Sequence, residues 1–335
     1  MDEMLNVYAP RRVKLPFSRI GWALFAILGI TTALQIVFAA VATIFFPYML
    51  TTGWFEWALS FVPLYLIAVP LGYLILKPIP TLITPQQKLS FGKFLSFLAM
   101  SFAVMYLGNL IGIVMNVGIA AFKGRDYTNP LEDLLAGSSI YIEIFVVVLL
   151  APIMEELIFR KLLIDRVRIF GEGTAILVSG LTFGLFHGNL TQFFYAFGLG
   201  CMFAYVYLRT GKLHYTMLLH AIINGFSVFL SQLAGSVPDS SSVLEAGFED
   251  PSALIKAVQG NLPVYLGIAL LGIAEVALLI AGILLLIKKR KQVVLFTAPM
   301  ELPKSGRFKA VFVNWGMGIF ALLALGMMTY TAIAL

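Results

Sequence analysis

Glu155 and Glu156 stand side by side in the run Ala151-Pro152-Ile153-Met154-Glu155-Glu156-Leu157-Ile158-Phe159-Arg160. Ser138 to Leu150, just before it, holds one charge, Glu143, so the stretch reads as a membrane-spanning helix that continues through the acidic pair. Ionisable groups inside hydrocarbon cost about 2.5 kcal/mol or more each and persist where they pair or do work. On a helix, Glu156 and Arg160 share a face in the Glu-before-Arg order that favours pairing. Glu155 is turned about 100° away and has no cation one turn distant. It is the freer carboxylate, the kind of group that takes a proton from water as a general base.

Two further apolar stretches carry acid–base residues. Phe183-Gly184-Leu185-Phe186-His187 puts an imidazole one turn after an aromatic ring, and His220-Ala221-Ile222-Ile223-Asn224 puts an imidazole and an amide on one helix face. A single histidine on an apolar helix is usually a satisfied core residue; two in the block that holds the Glu pair point to a site. The third histidine, His214, lies at the mouth of its span beside Lys212 and Tyr215 and reads as interfacial.

These residues need a membrane bundle to position them. The chain has 335 residues, is 60% hydrophobic and only 12% charged, and has a mean hydropathy of +0.93. A soluble domain is about 45–50% apolar. The expected fold is all-α, a polytopic bundle of about nine spans, near 20–46, 54–76, 91–122, 138–159, 173–188, 190–208, 213–233, 262–287 and 310–334. Segments 1–19, 77–93, 160–172, 209–212 and 288–309 hold 20 of the 23 Lys and Arg, which places them and the N-terminus in the cytoplasm and the C-terminus outside. The net charge of +6 is therefore an expression of topology, and no nucleic-acid partner is expected. The first span reads as a retained signal anchor, Lys288-Lys289-Arg290-Lys291 as a stop-transfer anchor, and the acidic segment 234–261 as a mobile or partly helical outer loop. Cys201, the sole cysteine, reads as a small core residue. Gly180, Gly184 and Gly188, four apart, predict a buried face of close helix approach. Short connections at 188–191 and 209–212 draw spans 4 to 7 into one compact block.

The three motifs, Glu155-Glu156-x-x-x-Arg160, Phe183-x-x-x-His187 and His220-x-x-x-Asn224, resemble those of the type II CAAX prenyl endopeptidase and bacteriocin-processing family of intramembrane proteases. The resemblance covers roughly residues 130–235. It divides the chain into N-terminal spans 1–130 of unassigned role, a catalytic core 131–235, and an outer loop with two spans in 236–335. It implies hydrolysis of a peptide bond near the membrane-associated end of a peptide or membrane-protein substrate. Glu155 with His187 would activate water, His220 with Asn224 would hold the oxyanion, and Glu156 and Arg160 would fix the helix face behind them. A metal version, with Glu155, His187 and His220 around a divalent ion such as zinc, stays open beside the metal-free one; the chain lacks the HExxH pattern of soluble zinc proteases. Two other readings compete. One is a non-catalytic membrane scaffold or bacteriocin-immunity protein on the same fold. The other is a transporter using Glu143, Glu275, Asn109 and Asn116. One geometric difficulty accompanies the hydrolase reading: counted from the expected inner boundaries, Glu155 and His220 lie about 10–15 Å deep and His187 near 20 Å. A tilt or a later start of span 5 would have to close that gap.

Overall fold

The computed structural model describes residues 10–124, 135, 138–237 and 251–334, and these are helical with no strand among them. Apolar runs of this length leave the backbone no partner in lipid except itself, so helices are the form they take. In chain order the helices are α1 (Pro10–Phe45), α2 (Gly53–Leu76), α3 (Phe91–Lys123), α4 (140–170), α5 (Glu172–Phe186), α6 (Leu190–Thr210), α7 (Leu213–Gly235), α8 (Pro251–Gly260), α9 (Leu262–Lys289), α10 (Arg307–Phe312) and α11 (Trp315–Ala334). Seven of them are long and apolar enough to cross a bilayer: α1, α2, α3, α6, α7, α9 and α11. The other two expected spans are α4 and α5, the pair that carries the chemistry. Residues 140–157 of α4 hold three carboxylates, Glu143, Glu155 and Glu156, and α5 has only 15 residues, so neither meets the length and hydropathy of a plain span.

The bundle is assembled by glycines that let backbones touch. A side chain on Gly180 would meet Cys201, and one on Gly184 would meet Phe193 O and Phe197, which makes α5 and α6 a tight antiparallel hairpin. Gly108 and Gly112 of α3 abut the α6 backbone at Tyr195 and Thr191, Gly282 seats α9 on Ala99, and Gly21 and Gly316 clasp α1 to α11. Gly188 corrects the expected small-residue face: it lies past the end of α5 with a φ of +63°, and its work is to turn the chain. Gly184→Val, which would drive methyl groups into Phe193 and Phe197, is expected to destabilise the hairpin by about 1–3 kcal/mol, read as a lower thermal midpoint in detergent.

Most of the polar residues that a transporter would need are spent on holding helices together. Tyr106 hydrogen-bonds Glu275 between α3 and α9. The Asn116 amide donates to Gly112 O and to Thr191 Oγ1 of α6, and Ser138 and Gln232 both donate to Glu143 Oε1. The acidic residues of the expected outer loop, Asp239, Glu245, Glu249 and Asp250, the junction at 130/131 and the first nine residues lie outside the described residues; 251–260 of that loop is helix.

Candidate functional site

Span 4 does not end at 159. It continues as helix to Phe170, through residues expected to form a basic loop, and the chain reverses at Gly171, whose φ of +113° suits glycine. The extension holds because its polar groups are partnered. The Arg166 guanidinium donates to Leu76 O and Leu162 O, Tyr207 donates to Asp165, and Lys161 pairs with Asp165 at 2.7 Å. Glu172, just past the turn, pairs with Arg209 and accepts from the backbone of Phe296. This extension removes the depth mismatch. Glu155 stands 16 residues before Gly171 and His187 stands 16 residues after it, so the two arms bring both side chains to the same level. Ser179, donating to Phe159 O at 3.0 Å, fixes that register.

Around this level the six expected residues fall into two layers. The inner layer is sealed. Glu156 and Arg160 are both fully buried, with Arg160 Nε 3.0 Å from Glu156 Oε2. The approach is an ion pair without hydrogen-bond alignment, and Nη1 and Nη2 of Arg160 have no hydrogen-bond partner. The guanidinium is held instead by aromatic faces, Phe183 at 4.8 Å and Phe203 at 5.6 Å from the ring centroids. Nothing in the spacing of the sequence singled out Phe203; it is one of several aromatics on α6, and only the packing of α6 against α4 and α7 aims it at the cation.

The outer layer faces inward from three helices. His220 is buried, and its Nδ1 lies 3.2 Å from Glu156 Oε1, so Glu156 ties Arg160 and His220 together. Its Nε2 points to Glu155 Oε2 at 3.8 Å, beyond hydrogen-bond distance. The Glu155 side chain keeps 22% of its surface accessible, against none for Glu156, which is the division expected from their positions on the helix. His187 caps the end of α5, and its Nδ1 lies 2.8 Å from Phe183 O, leaving Nε2 available. Phe183 sets its ring edge-on against both imidazoles, 5.0 Å from His187 and 5.9 Å from His220, so one aromatic spaces the two. His187 is within electrostatic range of Glu155 and His220. The Asn224 amide, one turn after His220, donates to Val147 O of α4 at 2.9 Å. His214 is exposed and stacks on Tyr215, as its interfacial position suggests.

Among the described residues no three His, Cys, Asp or Glu side chains come together as ligands of a metal ion. The donors as arranged do not fit the three-ligand zinc set, since His220 turns one nitrogen to Glu156 and His187 one to a backbone carbonyl.

Residues 137–226 match the family model described as type II CAAX prenyl endopeptidase, Rce1-like, and the matched stretch contains all six candidate residues. The chain is 28% identical over 130 residues, 36% of its length, to the membrane-embedded CAAX protease MroQ of Staphylococcus aureus strain USA300, covering 53% of that protein. It is 30% identical over 111 residues, 32% of its length, to YdiL of Bacillus subtilis strain 168, a candidate membrane peptidase, covering 44% of that protein. The chain thus spans about half the length of the curated relatives it matches. No solved structure matches. The family resemblance carried by the three motifs is borne out.

Proposed function

We propose that the chain is an intramembrane endopeptidase that hydrolyses a peptide bond with a glutamate-held water. The observation that carries this reading is the contrast within the acidic pair: Glu156 is consumed by Arg160 and His220, whereas Glu155 is part-exposed, without a hydrogen bond, and faces an imidazole. Glu155 accepts a proton from water as the water oxygen attacks the scissile carbonyl carbon. The carbonyl oxygen becomes an oxyanion held by His220 Nε2 and the second N–H of Asn224. With Nδ1–H directed at Glu156, donation from Nε2 requires the imidazolium form of His220. The C–N bond then breaks, and the proton held by Glu155 passes to the departing amine nitrogen. His187, through Nε2, orients the water beside Glu155.

The substrate class that suits such a site is a peptide or protein tail already resident in the bilayer, because the groups sit on the membrane-embedded parts of α4, α5 and α7. The positive-inside distribution supports a cell-membrane protein with a cytoplasmic N-terminus and the C-terminus outside. Peptidomics of membranes from cells carrying the intact chain or its Glu155→Gln form tests the reading: fragments that accumulate only with the intact chain would be its products, and identical peptide sets would end it. The metal-free route is tested separately. Treatment with a membrane-permeant chelator is expected to leave at least nine-tenths of the cleavage rate, whereas a loss restored by added zinc would reinstate the metal route.

A further inference from the structure

The matched family segment begins at residue 137, yet a residue of α2, far outside it, reaches the same level of the bundle. Helices α2 and α4 run parallel, and both ends of their contact are fixed. At one end Trp57 and Val146 share a small apolar core with Val228. At the other, Arg166 Nε donates to Leu76 O at 3.0 Å and its guanidinium lies 5.9 Å from the Tyr73 ring. Trp57 to Leu76 is 19 residues and Val146 to Arg166 is 20, so the helices advance together. Tyr65 is eight residues beyond Trp57, and eight residues beyond Val146 is Met154, the neighbour of Glu155.

Side-chain environment agrees with that register. Tyr65 is 6% exposed in the same core as Ile158 and Phe183, with Met154 packed against it, and Tyr65 interacts electrostatically with Glu155. Its ring is fixed by Phe61 at 5.3 Å, and its hydroxyl makes no hydrogen bond among the described residues. A buried phenol without a partner is a costly group to keep, on the order of 1–3 kcal/mol. The backbone adds a second sign. Among the described residues, wide π-helical turns occur at Val62–Ala68, Ile144–Leu150 and Leu157–Ile164. The first contains Tyr65, and the other two flank the segment Ala151–Glu156 that bears the acidic pair. Such turns collect at functional sites because they re-aim side chains.

We infer that Tyr65 is a positioning residue of the site, its phenol donating a hydrogen bond to the Glu155 carboxylate, or to the water that this carboxylate holds, when substrate enters. This rests on Glu155 being the base. The otherwise unassigned N-terminal spans thereby gain a role, since α2 closes the fourth side of a site whose other three sides are α4, α5 and α7.

The test uses the purified full-length chain in detergent micelles and a pool of internally quenched fluorescent apolar peptides, with Tyr65→Phe and Glu155→Gln as variants. Tyr65→Phe keeps the ring, its contact with Phe61 and its packing against Met154. It is expected to lower kcat about tenfold with KM and thermal midpoint unchanged. An unchanged kcat, a fall in thermal midpoint that accounts for the loss, or a change in KM alone would each overturn the positioning role. Activity persisting in Glu155→Gln would instead overturn the reading beneath it. Placement is checked without any substrate in a Cys201→Ser background: cysteines introduced at 65 and 155 are expected to be joined by a short bismaleimide. If that pair stays unlinked while a 65/146 pair is joined, Tyr65 lies on another level and the inference fails.

Discussion

Glu155→Gln is expected to lower peptide turnover by about 10²–10⁴-fold while leaving the thermal midpoint of the purified bundle within experimental error. The two halves of that expectation come from different features. Gln has the shape of Glu but cannot accept the proton that must leave the attacking water, so the chemical step loses its base. Stability is spared because Glu155 contributes little to holding the bundle: its carboxylate makes no hydrogen bond, its nearest cationic partner is His220 Nε2 at 3.8 Å, and 22% of the side chain is open. Cleavage of a quenched apolar peptide by purified protein, beside a thermal scan of the same sample, reads both. A variant that keeps its fold and its rate would mean that the polar cluster is structural, which is what a scaffold on this fold requires. A variant that loses both would mean that Glu155 is a buried anchor, contrary to its exposure.

Helices and motifs were legible in the sequence for one physical reason. Hydrocarbon admits few charges, so each charge within an apolar run stands out, and Glu155, Glu156, Arg160, His187, His220 and Asn224 were all found on that basis and all converge on α4, α5 and α7. What stayed hidden depends on tertiary contacts that replace lipid or water. Residues 160–170 look like a basic loop because Arg160, Asp165 and Arg166 are charged. They are helical because Phe183, Phe203, Tyr207 and the Leu76 carbonyl partner them, and none of those partners is near in sequence. The same blindness to packing produced the depth mismatch between Glu155 and His187, which vanished once the turn moved from residue 160 to Gly171. Gly188 was read by spacing as a packing residue, and only its positive φ reveals a turn. Tyr65 gave no signal at all, because a tyrosine in an apolar span is ordinary until the register of α2 against α4 is known.

Glu156→Gln is expected to cost about 3–5 kcal/mol of stability, enough to deplete folded protein, although the substitution removes only a charge. Arg160 is fully buried, stays protonated, and has no hydrogen bond from Nη1 or Nη2; Glu156 and two aromatic faces are what offset its desolvation. Removing the carboxylate strands the guanidinium, and it also frees His220 from the contact at Nδ1 that fixes its ring. Size-exclusion recovery and the thermal midpoint in detergent measure the first effect. The second is separated by the double substitution Glu156→Leu with Arg160→Met, in which neither charge remains to be stranded. That form is expected to regain most of the lost stability, because replacing a buried ion pair by apolar groups of similar volume is often neutral. It is expected to stay inactive, because His220 has lost the carboxylate that aims its Nε2 toward Glu155 and the reacting carbonyl. Recovery of stability together with activity would mean that the Glu156–Arg160 pair only fills space, and that the orientation of His220 is set by Phe183 and Phe203 alone.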